Sequence, residues 1–234
     1  MIGIIGAMDK EVEGLKAVMT DMALENIAGI DFTKGKINGT ECVVARCNPG
    51  KVNAAACAQI MIMKYEPKML VNTGVAGGIG KNVHIGDVVI GTSCVQHDVD
   101  TSPLGDPVAL IPGINIINVP CDEVISELIK EEAKKVYEGQ VMSGVIATGD
   151  QFIADGKKCL ELNASFEAMA CEMESGSIAH VCYINKVPCA IIRSISDNAN
   201  DEGSVDYLTF VDYSSKKASE LLINVINKLD NIEV

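Results

Sequence analysis

The chain has 234 residues, of which 48% are hydrophobic and 22% are charged, and its formal net charge is −13. This length and apolar fraction predict one globular domain, residues 1–234, with a large core. Because Arg46 and Arg193 are the only arginines and no basic run occurs, the composition argues against nucleic acid and anionic membrane surfaces as partners.

The cysteines and the N-terminus indicate a cellular compartment. There are nine cysteines, an odd number without any CxxC pair, and most lie inside apolar runs. This pattern predicts reduced, buried thiols in a cytoplasmic protein rather than a disulfide framework. The N-terminus begins with a strand-like run followed by acidic residues, unlike a signal peptide. No apolar run approaches the roughly 18 residues that span a membrane.

Strand and helix patterns alternate along the chain. Strands are predicted at 2–6, in a hairpin at 32–47 that turns at Asn38-Gly39, and at 69–72, 87–95, 141–148, 168–173 and 188–195. Helices are predicted after Asp9 and at 51–65, 122–137, 156–162, 177–185 and 206–229. Residues 101–120 are predicted as a long ordered loop. The alternation indicates an α/β fold with a mainly parallel sheet flanked by helices.

Apolar spacing predicts the buried face of each long helix. The predicted inner faces are Val12, Leu15, Val18 and Met19 in the first helix; Val52, Ala55, Ala56, Gln59, Ile60 and Met63 in the second; Val124, Ile125, Leu128, Ile129, Ala133 and Val136 in the third; and Ala218, Leu221, Leu222, Val225, Ile226 and Leu229 in the last.

A glycine-rich segment, 74–81, follows the strand at 69–72. It is not a P-loop, because Val75 and Asn82 stand where that motif needs Gly and Ser or Thr. A Rossmann fingerprint is also absent, since Gly3-Ile4-Ile5-Gly6 lacks the required spacing. Two interpretations stay open: a tight strand-to-helix turn, or a backbone cradle that lets a ligand approach the peptide plane.

Acidic residues also follow strand-like runs. Glu11 lies in the first turn of a predicted helix, where it could simply complement the helix dipole. Glu172 and Glu174 are two apart on a predicted strand and would face the same side, which is unfavourable unless each carboxylate has a partner. Because ligands bind outside the carboxyl ends of parallel strands, these residues predict one shared site.

Asp197 ends the strand at 188–195 and follows Ser196, four residues after Arg193. Ser and Asp often cap helices, but the nearby arginine favours a functional site. His97-Asp98-Val99-Asp100 could suggest a metal, yet His84 and His180 show no ligand spacing to it. We therefore predict neither a metal nor any other cofactor.

Together these segments resemble the nucleoside phosphorylase superfamily, most closely its bacterial hydrolase branch, the 5′-methylthioadenosine/S-adenosylhomocysteine nucleosidases. The matching residues are Ile2-Gly3-Ile4-Ile5-Gly6-Ala7-Met8 with Glu11, Asn72-Thr73-Gly74, Ala76-Gly77-Gly78, Gly149-Asp150 with Phe152-Ile153, Glu172-Met173-Glu174 with Ile178-Ala179-His180, Val187-Pro188, and Arg193 with Ile195-Ser196-Asp197. The resemblance covers essentially the whole chain. It implies a three-layer α/β/α fold around a central twisted, mixed sheet.

The resemblance also implies a reaction, in which water cleaves the bond between adenine N9 and ribose C1′ through an oxocarbenium-like transition state. By resemblance, Asp197 would protonate adenine N7, which requires a raised pKa, and Glu11 would activate water. The remaining implied site residues are Met8, Val75, Ala76, Gly77, Phe152 stacking on adenine, Ile153 reading its edge through the backbone, Glu172, Met173 packing on the sugar, Glu174 accepting from the ribose hydroxyls, Arg193 restraining the carboxylates, and Ser196 orienting Asp197.

Three functions stay open: the nucleosidase, a phosphate-dependent phosphorylase, and a non-catalytic purine-binding protein on the same fold. Phosphorylases tend to hold their anionic nucleophile with arginines, of which this chain has two. Glu11 would repel phosphate but can deprotonate water, so water is the predicted nucleophile. The presence of both Glu11 and Asp197 favours an enzyme over a binder.

The sequence departs from the family pattern around the 5′ substituent of the nucleoside. Val75 stands where Ser is common, residues 48–51 lack the usual second glycine, and Leu104 and Tyr207 replace other aromatics. These positions leave the preference among nucleosides open. The mean hydropathy of +0.23 predicts a homodimer, and the resemblance implies that residues 101–120 reach toward the partner's site.

Overall fold

The computed structural model of the chain describes residues 1–199 and 203–233, with the backbone alone for 203–206. Its strands are β1 (Ile2–Gly6), β2 (Thr20–Ile27), β3 (Ile30–Ile37), β4 (Thr40–Arg46), β5 (Met69–Gly78), β6 (Val88–Gln96), β7 (Asn118–Pro120), β8 (Val141–Thr148), β9 (Ala168–Glu172) and β10 (Cys189–Asp197). Its helices are α1 (Asp9–Ala17), α2 (Lys51–Tyr65), α3 (Glu123–Ala133), α4 (Gly156–Phe166), α5 (Ser175–Asn185) and α6 (Gly203–Asp230).

All ten strands join one mixed sheet. Parallel pairings connect β4, β1, β5 and β10 in one run and β6, β8 and β9 in another. Antiparallel pairings of β10 with β6 and of β9 with β5 then close these strands into a ring. The predicted α/β fold with a central mixed sheet is confirmed, and the ring brings the carboxyl ends of its parallel strands toward one another.

Helices cover both faces of the sheet. On one face, α2 and α5 bury small and sulfur-containing side chains such as Ala54, Cys57 and Ala179. On the other, α1, α3 and α6 bury larger aliphatic side chains, among them Leu15, Ile129 and Leu222. The predicted inner face of α6 is confirmed, because all six of its residues are fully buried: Ala218, Leu221, Leu222, Val225, Ile226 and Leu229. Among the described residues, no helix combines the length and apolar character that a bilayer crossing demands.

The hairpin prediction is also confirmed. Strands β3 and β4 pair in antiparallel fashion from Phe32 opposite Ala45 to Ile37 opposite Thr40. Asn38 and Gly39 connect them with φ angles of 50° and 87°, values that Asn and Gly tolerate best. Strand β2, which pairs with β3, was missed because its side chains are nearly all exposed and show no apolar alternation.

The glycine-rich segment is neither a turn nor a helix start. Residues 74–78 continue β5, where Gly74 pairs with Arg193 and Gly78 with Ala170. The interpretation as a strand-to-helix turn is therefore wrong. Two neighbouring strands supply the backbone partners that keep a glycine-rich chain extended here, against its low intrinsic strand preference.

The predicted buried stripe of α2 is only partly buried, since Ala55 and Ile60 pack against the core but the two ends of the stripe do not. Val52 is 80% exposed and Met63 73% exposed, while Ala54, Cys57, Ala58 and Met61 form the buried face. Both sets of residues have helical spacing and form regular stripes. The prediction chose the stripe with the larger apolar side chains at its ends, whereas the structure buries the stripe with the smaller ones. Val18 and Val124, predicted as inward, are likewise exposed.

Candidate active site

A cavity of about 200 Å³ opens at the carboxyl ends of β1, β5, β9 and β10. Loops after β8 and before α2, together with the first turns of α1 and α6, complete its walls. The lining residues are Ala7, Met8, Glu11, Pro49, Val75, Ala76, Gly77, Gln151, Phe152, Ile153, Cys171, Glu172, Met173, Glu174, Ser196, Asp197 and Tyr207. The structure thus brings together every predicted site residue except Arg193.

Glu11 is held at the base of this cavity. Its Oε2 accepts hydrogen bonds from the backbone N–H of Ala7 (2.7 Å) and Met8 (2.9 Å), and its Oε1 accepts from Val75 N–H (2.9 Å). Met8, not Asp9, occupies the N-cap of α1. Burial raises the pKa of Glu11, opposed by the charge of Arg193 and by these hydrogen bonds. A carboxylate with a raised pKa is a better proton acceptor near neutral pH.

Asp197 is also buried, at the end of β10. Its Oδ2 accepts from Ser196 Oγ at 3.0 Å, and its Oδ1 accepts from Ala199 N–H at 2.8 Å. These contacts fix the plane of the carboxyl group. The hydrogen bond from Ser196 supports the prediction that this residue orients Asp197.

Two glycines of β5 make room for these carboxylates. A Cβ added at Gly74 would lie 2.5 Å from Glu11 Oε1, and one at Gly77 would lie 2.8 Å from Asp197 Oδ1. Both distances are well inside van der Waals contact. The glycines of this strand therefore leave space for two buried acids, while the cradle for a ligand stays a prediction.

Arg193 lies behind the cavity wall. Its guanidinium is fully buried and donates to Glu172 Oε2 from Nε (3.2 Å) and from Nη2 (2.7 Å). Another bond joins Nη2 to Asn72 Oδ1. Burial opposes ionisation of Glu172, but Arg193 and the hydroxyl of Thr148 outweigh it, so its pKa is lowered. Glu172 and Arg193 form a buried charged pair, of which Glu172 lines the cavity and Arg193 does not.

Glu172 also sets the direction of the next carboxylate. Its Oε2 accepts from the N–H groups of Glu174 (3.0 Å) and Ser175 (2.8 Å), where β9 ends and α5 begins. The expectation that Glu172 and Glu174 share one side of a strand is wrong, because the strand ends at Glu172. Both line the cavity, but through this cap rather than through strand alternation.

Glu174 accepts one hydrogen bond from the N–H of Gly50, at 2.9 Å. Burial raises its pKa to about 8, and the negative charge of Glu172 adds to the shift. A hydroxyl donor placed beside Glu174 would therefore stabilise the ionised form of this buried carboxyl group.

An aromatic pair closes one side of the cavity. Phe152, 51% exposed, meets Tyr207 edge to face with ring centroids 5.6 Å apart, and Tyr207 donates to Met8 Sδ. Tyr207 and Pro49 were not predicted as site residues, although the sequence comparison by motif had pointed to both segments. Leu104, by contrast, is 84% exposed and does not line the cavity.

Ala7, Gln151 and Cys171 are the other lining residues that were not predicted. Each lies next to a predicted one, at the end of β1, after β8 and in β9. In the sequence, only their position beside a motif residue near a strand end could have indicated that these three residues line the cavity.

Comparison with known proteins agrees with this geometry. A family profile described as Phosphorylase superfamily matches residues 1–229. A 5′-methylthioadenosine/S-adenosylhomocysteine nucleosidase from Shewanella loihica is 38% identical over 229 residues, covering 97% of this chain and 99% of the relative. The chain belongs to the phosphorylase superfamily, in its 5′-methylthioadenosine/S-adenosylhomocysteine nucleosidase branch.

Solved structures extend the likeness to three dimensions. The nucleosidase of Neisseria meningitidis, solved with methylthio-immucillin-A, has a TM-score of 0.93 at 30% identity and covers 97% of this chain and 98% of its own. The futalosine hydrolase of Helicobacter pylori has a TM-score of 0.91 at 34% identity, covering 97% of both chains. The resemblance recognised from motifs is therefore confirmed, and the superfamily members it resembles include more than one named hydrolase.

Proposed function

We propose that this chain hydrolyses the N-glycosidic bond of 5′-methylthioadenosine and S-adenosylhomocysteine, releasing adenine and the thioribose. One observation carries the proposal: two buried acids, Glu11 and Asp197, line the same cavity, with Phe152 and Glu174 in its walls. The names of the relatives support the same reaction.

Asp197 is proposed as the acid. Protonation of adenine N7 makes the base a neutral leaving group, so the C1′–N9 bond breaks with its electron pair passing to the base. Ser196 and the Ala199 N–H hold the carboxyl plane, which leaves little freedom to rotate away from the purine. Ile153 would present its backbone to the adenine edge, and Phe152 a ring face or edge for stacking.

Glu11 is proposed as the base on the sugar side. It takes a proton from the attacking water as the new C1′–O bond forms, completing hydrolysis. Its three backbone hydrogen bonds hold it in place without neutralising it. Glu174 would accept from the ribose hydroxyls while Met173 packs on the sugar, and Met8, Val75, Ala76 and Gly77 would complete the wall.

Water is favoured over phosphate as the nucleophile. Among the described residues that line the cavity there is no lysine or arginine. Arg193 is occupied by Glu172, and Arg46 pairs with Asp9 at the surface, 2.6 Å apart. A dianionic nucleophile would therefore meet Glu11, Glu172 and Glu174 in the cavity wall with no cation in the lining free to bind it.

Phosphate dependence is the decisive experiment. Purified protein given 5′-methylthioadenosine in phosphate-free buffer should release adenine and methylthioribose at the same rate as with phosphate added. A phosphate requirement with a sugar-phosphate product would assign a phosphorylase instead. No adenine under either condition would leave a purine-binding protein. Parallel assays with S-adenosylhomocysteine, 5′-deoxyadenosine and futalosine would rank the substrates.

Nucleoside affinity should depend on pH through Glu174. Because its pKa is raised to about 8 and the ionised form accepts hydroxyl protons best, nucleoside binding favours deprotonation. Affinity for a hydrolysis-resistant 5′-methylthioadenosine analogue should therefore rise from pH 6.5 to about 8, by at most about tenfold per unit. Calorimetric titration measures this directly. In Glu174→Gln the affinity should be weaker and flat over the same range; a flat profile in the wild-type protein would contradict the assignment.

We also propose a homodimer. The outward stripe of α2 carries Val52 and Met63, and the adjoining α5 exposes Tyr183 and Ile184. The two helices are joined by hydrogen bonds between Gln59 and Asn185, so these apolar side chains lie on neighbouring elements. Leu104, exposed in the loop 101–120, would reach toward the partner's cavity. Light scattering should give twice the 24.8 kDa chain mass, and Met63→Asp should lower it.

Three further expectations accompany this function. We propose that residues 1–234 form one catalytic domain. Strand ends of its sheet form part of the cavity wall, and the adjoining loops and helix ends form the rest. No metal or cofactor is assigned to the reaction. A cytoplasmic location is proposed because all nine cysteines, each within the described residues, are free thiols.

A further inference from the structure

Three charged side chains outside the cavity tie together the loops that carry it. Lys51 begins α2, Asp98 follows β6, and Asp150 follows β8. Lys51 Nζ donates to Asp98 Oδ1 at 2.6 Å, and Asp98 Oδ2 accepts from the Asp150 N–H at 3.0 Å. Asp150 Oδ1 in turn accepts from the Lys51 N–H at 2.7 Å. These hydrogen bonds form a closed circuit, which we call the loop brace.

The Lys51–Asp98 pair is shielded from water. The two side chains are only 18% and 20% exposed, whereas most ion pairs among the residues that the structure describes have at least one largely exposed partner. Burial opposes ionisation of Asp98, but Lys51 and the Asp150 N–H outweigh it, so the pKa of Asp98 is lowered. Lys51 Nζ has a second, longer contact with Gln96 Oε1 at 3.4 Å. Partial burial makes such a pair stronger and more directional than an exposed one.

Two members of the loop brace, Lys51 and Asp150, lie close in the chain to residues that line the cavity. Gly50, next to Lys51, donates its N–H to Glu174. Asp150 stands two residues before Phe152, and Pro49 lies on the other side of Gly50. The loops touch where Gly50 has φ 103° and an added Cβ would be 3.2 Å from Asp150 Oδ1.

We propose that Lys51, Asp98 and Asp150 are positioning residues for the nucleoside site. The loop brace fixes the spacing between the Gly50 N–H, which holds Glu174, and Phe152 on the opposite loop. It thereby sets the gap into which ribose and adenine must fit together. This inference rests on the proposed function, since it concerns the same cavity. In this proposal Asp98, from the segment His97-Asp98-Val99-Asp100 after β6, holds the Lys51 ammonium group and the Asp150 N–H in place.

Loss of the loop brace should weaken ground-state binding more than it slows the chemical step. Glu174 and Phe152 contact parts of the nucleoside that stay bound throughout the reaction, whereas Glu11 and Asp197 are held by separate backbone contacts. Removal of such uniform binding raises KM with little change in kcat. For Lys51→Met we expect KM for 5′-methylthioadenosine to rise about tenfold and kcat to fall less than about threefold.

The experiment compares Lys51→Met, Asp98→Asn, their double variant and Lys51→Arg. Lys64→Met is the matched control, because Lys64 stands at the other end of α2 in an exposed pair with Glu25. Both single variants should raise KM, and also weaken adenine binding measured by calorimetry. The double variant should cost no more than either single one, since both remove one circuit. Lys51→Arg should restore KM to within about threefold of wild type, because the guanidinium can still pair with Asp98.

Certain results would overturn the proposal. They are an unchanged KM in both single variants, additive losses in the double variant, failure of Lys51→Arg to recover KM, or an equal loss in Lys64→Met. Melting temperatures identify a variant whose fold is lost; in that event the other single variant, which removes the opposite partner of the same pair, carries the comparison with Lys51→Arg. Failure of the proposed function is distinct, because the wild-type protein would then release no adenine in phosphate-free buffer.

Discussion

Asp197→Asn should remove nearly all turnover while nucleoside binding survives. The amide cannot donate a proton to adenine N7 as a carboxylic acid does, so kcat should fall by about 10²–10⁴-fold, the usual worth of general acid catalysis. Adenine release under saturating 5′-methylthioadenosine measures the loss, and calorimetry of the same variant measures binding.

The fold around residue 197 should tolerate this change. An asparagine Oδ1 still accepts from the Ala199 N–H, and Ser196 Oγ can accept from the new amide instead of donating to a carboxylate. Asp212→Asn is the matched control, because Asp212 pairs with Lys10 at the surface. Turnover within tenfold of wild type would remove Asp197 from the role of acid.

Arg193→Met should lower the free energy of unfolding by more than most other single substitutions in this chain. The substitution keeps an apolar chain in the core but leaves Glu172 buried without its cation, and brings Glu11, Glu172 and Glu174 together uncompensated. Breaking a buried pair by removing one partner typically costs about 3–5 kcal/mol of the free energy of unfolding. Urea denaturation of both proteins measures the difference.

A double-mutant cycle separates the pair from the arginine alone. Glu172→Gln should recover part of the lost stability in the Arg193→Met background, because it removes the stranded charge. The amide oxygen can still accept from Ser175 Oγ, and the amide NH2 can donate to Thr148 Oγ1. Lys130→Met, at an exposed pair with Glu127 in α3, should shift the unfolding free energy by less than about 1 kcal/mol. A loss of that small size in Arg193→Met would show that the buried pair does not stabilise the fold.

Local sequence patterns predicted the structure correctly where a short segment specifies its own conformation. The turn at Asn38-Gly39 needs left-handed backbone angles, which these two residues adopt. The helix predicted from residue 122 does begin there, with Asp122 as an N-cap that accepts from the Ile125 N–H at 2.9 Å. The apolar stripe of α6 follows a regular helical period. In each of these the determining contacts lie within a few residues.

Charged groups beside strands were only partly predictable. Glu11 and Asp197 were singled out because acids at strand ends are unusual, and the family resemblance supplied their proposed roles. The position of Arg193 behind Glu172 depends on how β9, β10 and Asn72 meet, across more than a hundred residues of chain. The same holds for the loop brace, whose three members come from three separate connections.

By itself, the sequence determined the order of the helices and of all strands except β2 and β7, the sharp turn of the hairpin, the buried face of the last helix and the family to which the chain belongs. Only the tertiary structure decided that residues 74–78 stay extended, that the Val52–Met63 side of α2 faces outward, and that Arg193 supports the cavity from behind. The reason is physical: hydrophobic period and turn chemistry act over a few residues, whereas burial and charge pairing are properties of surfaces that meet only after the chain has folded.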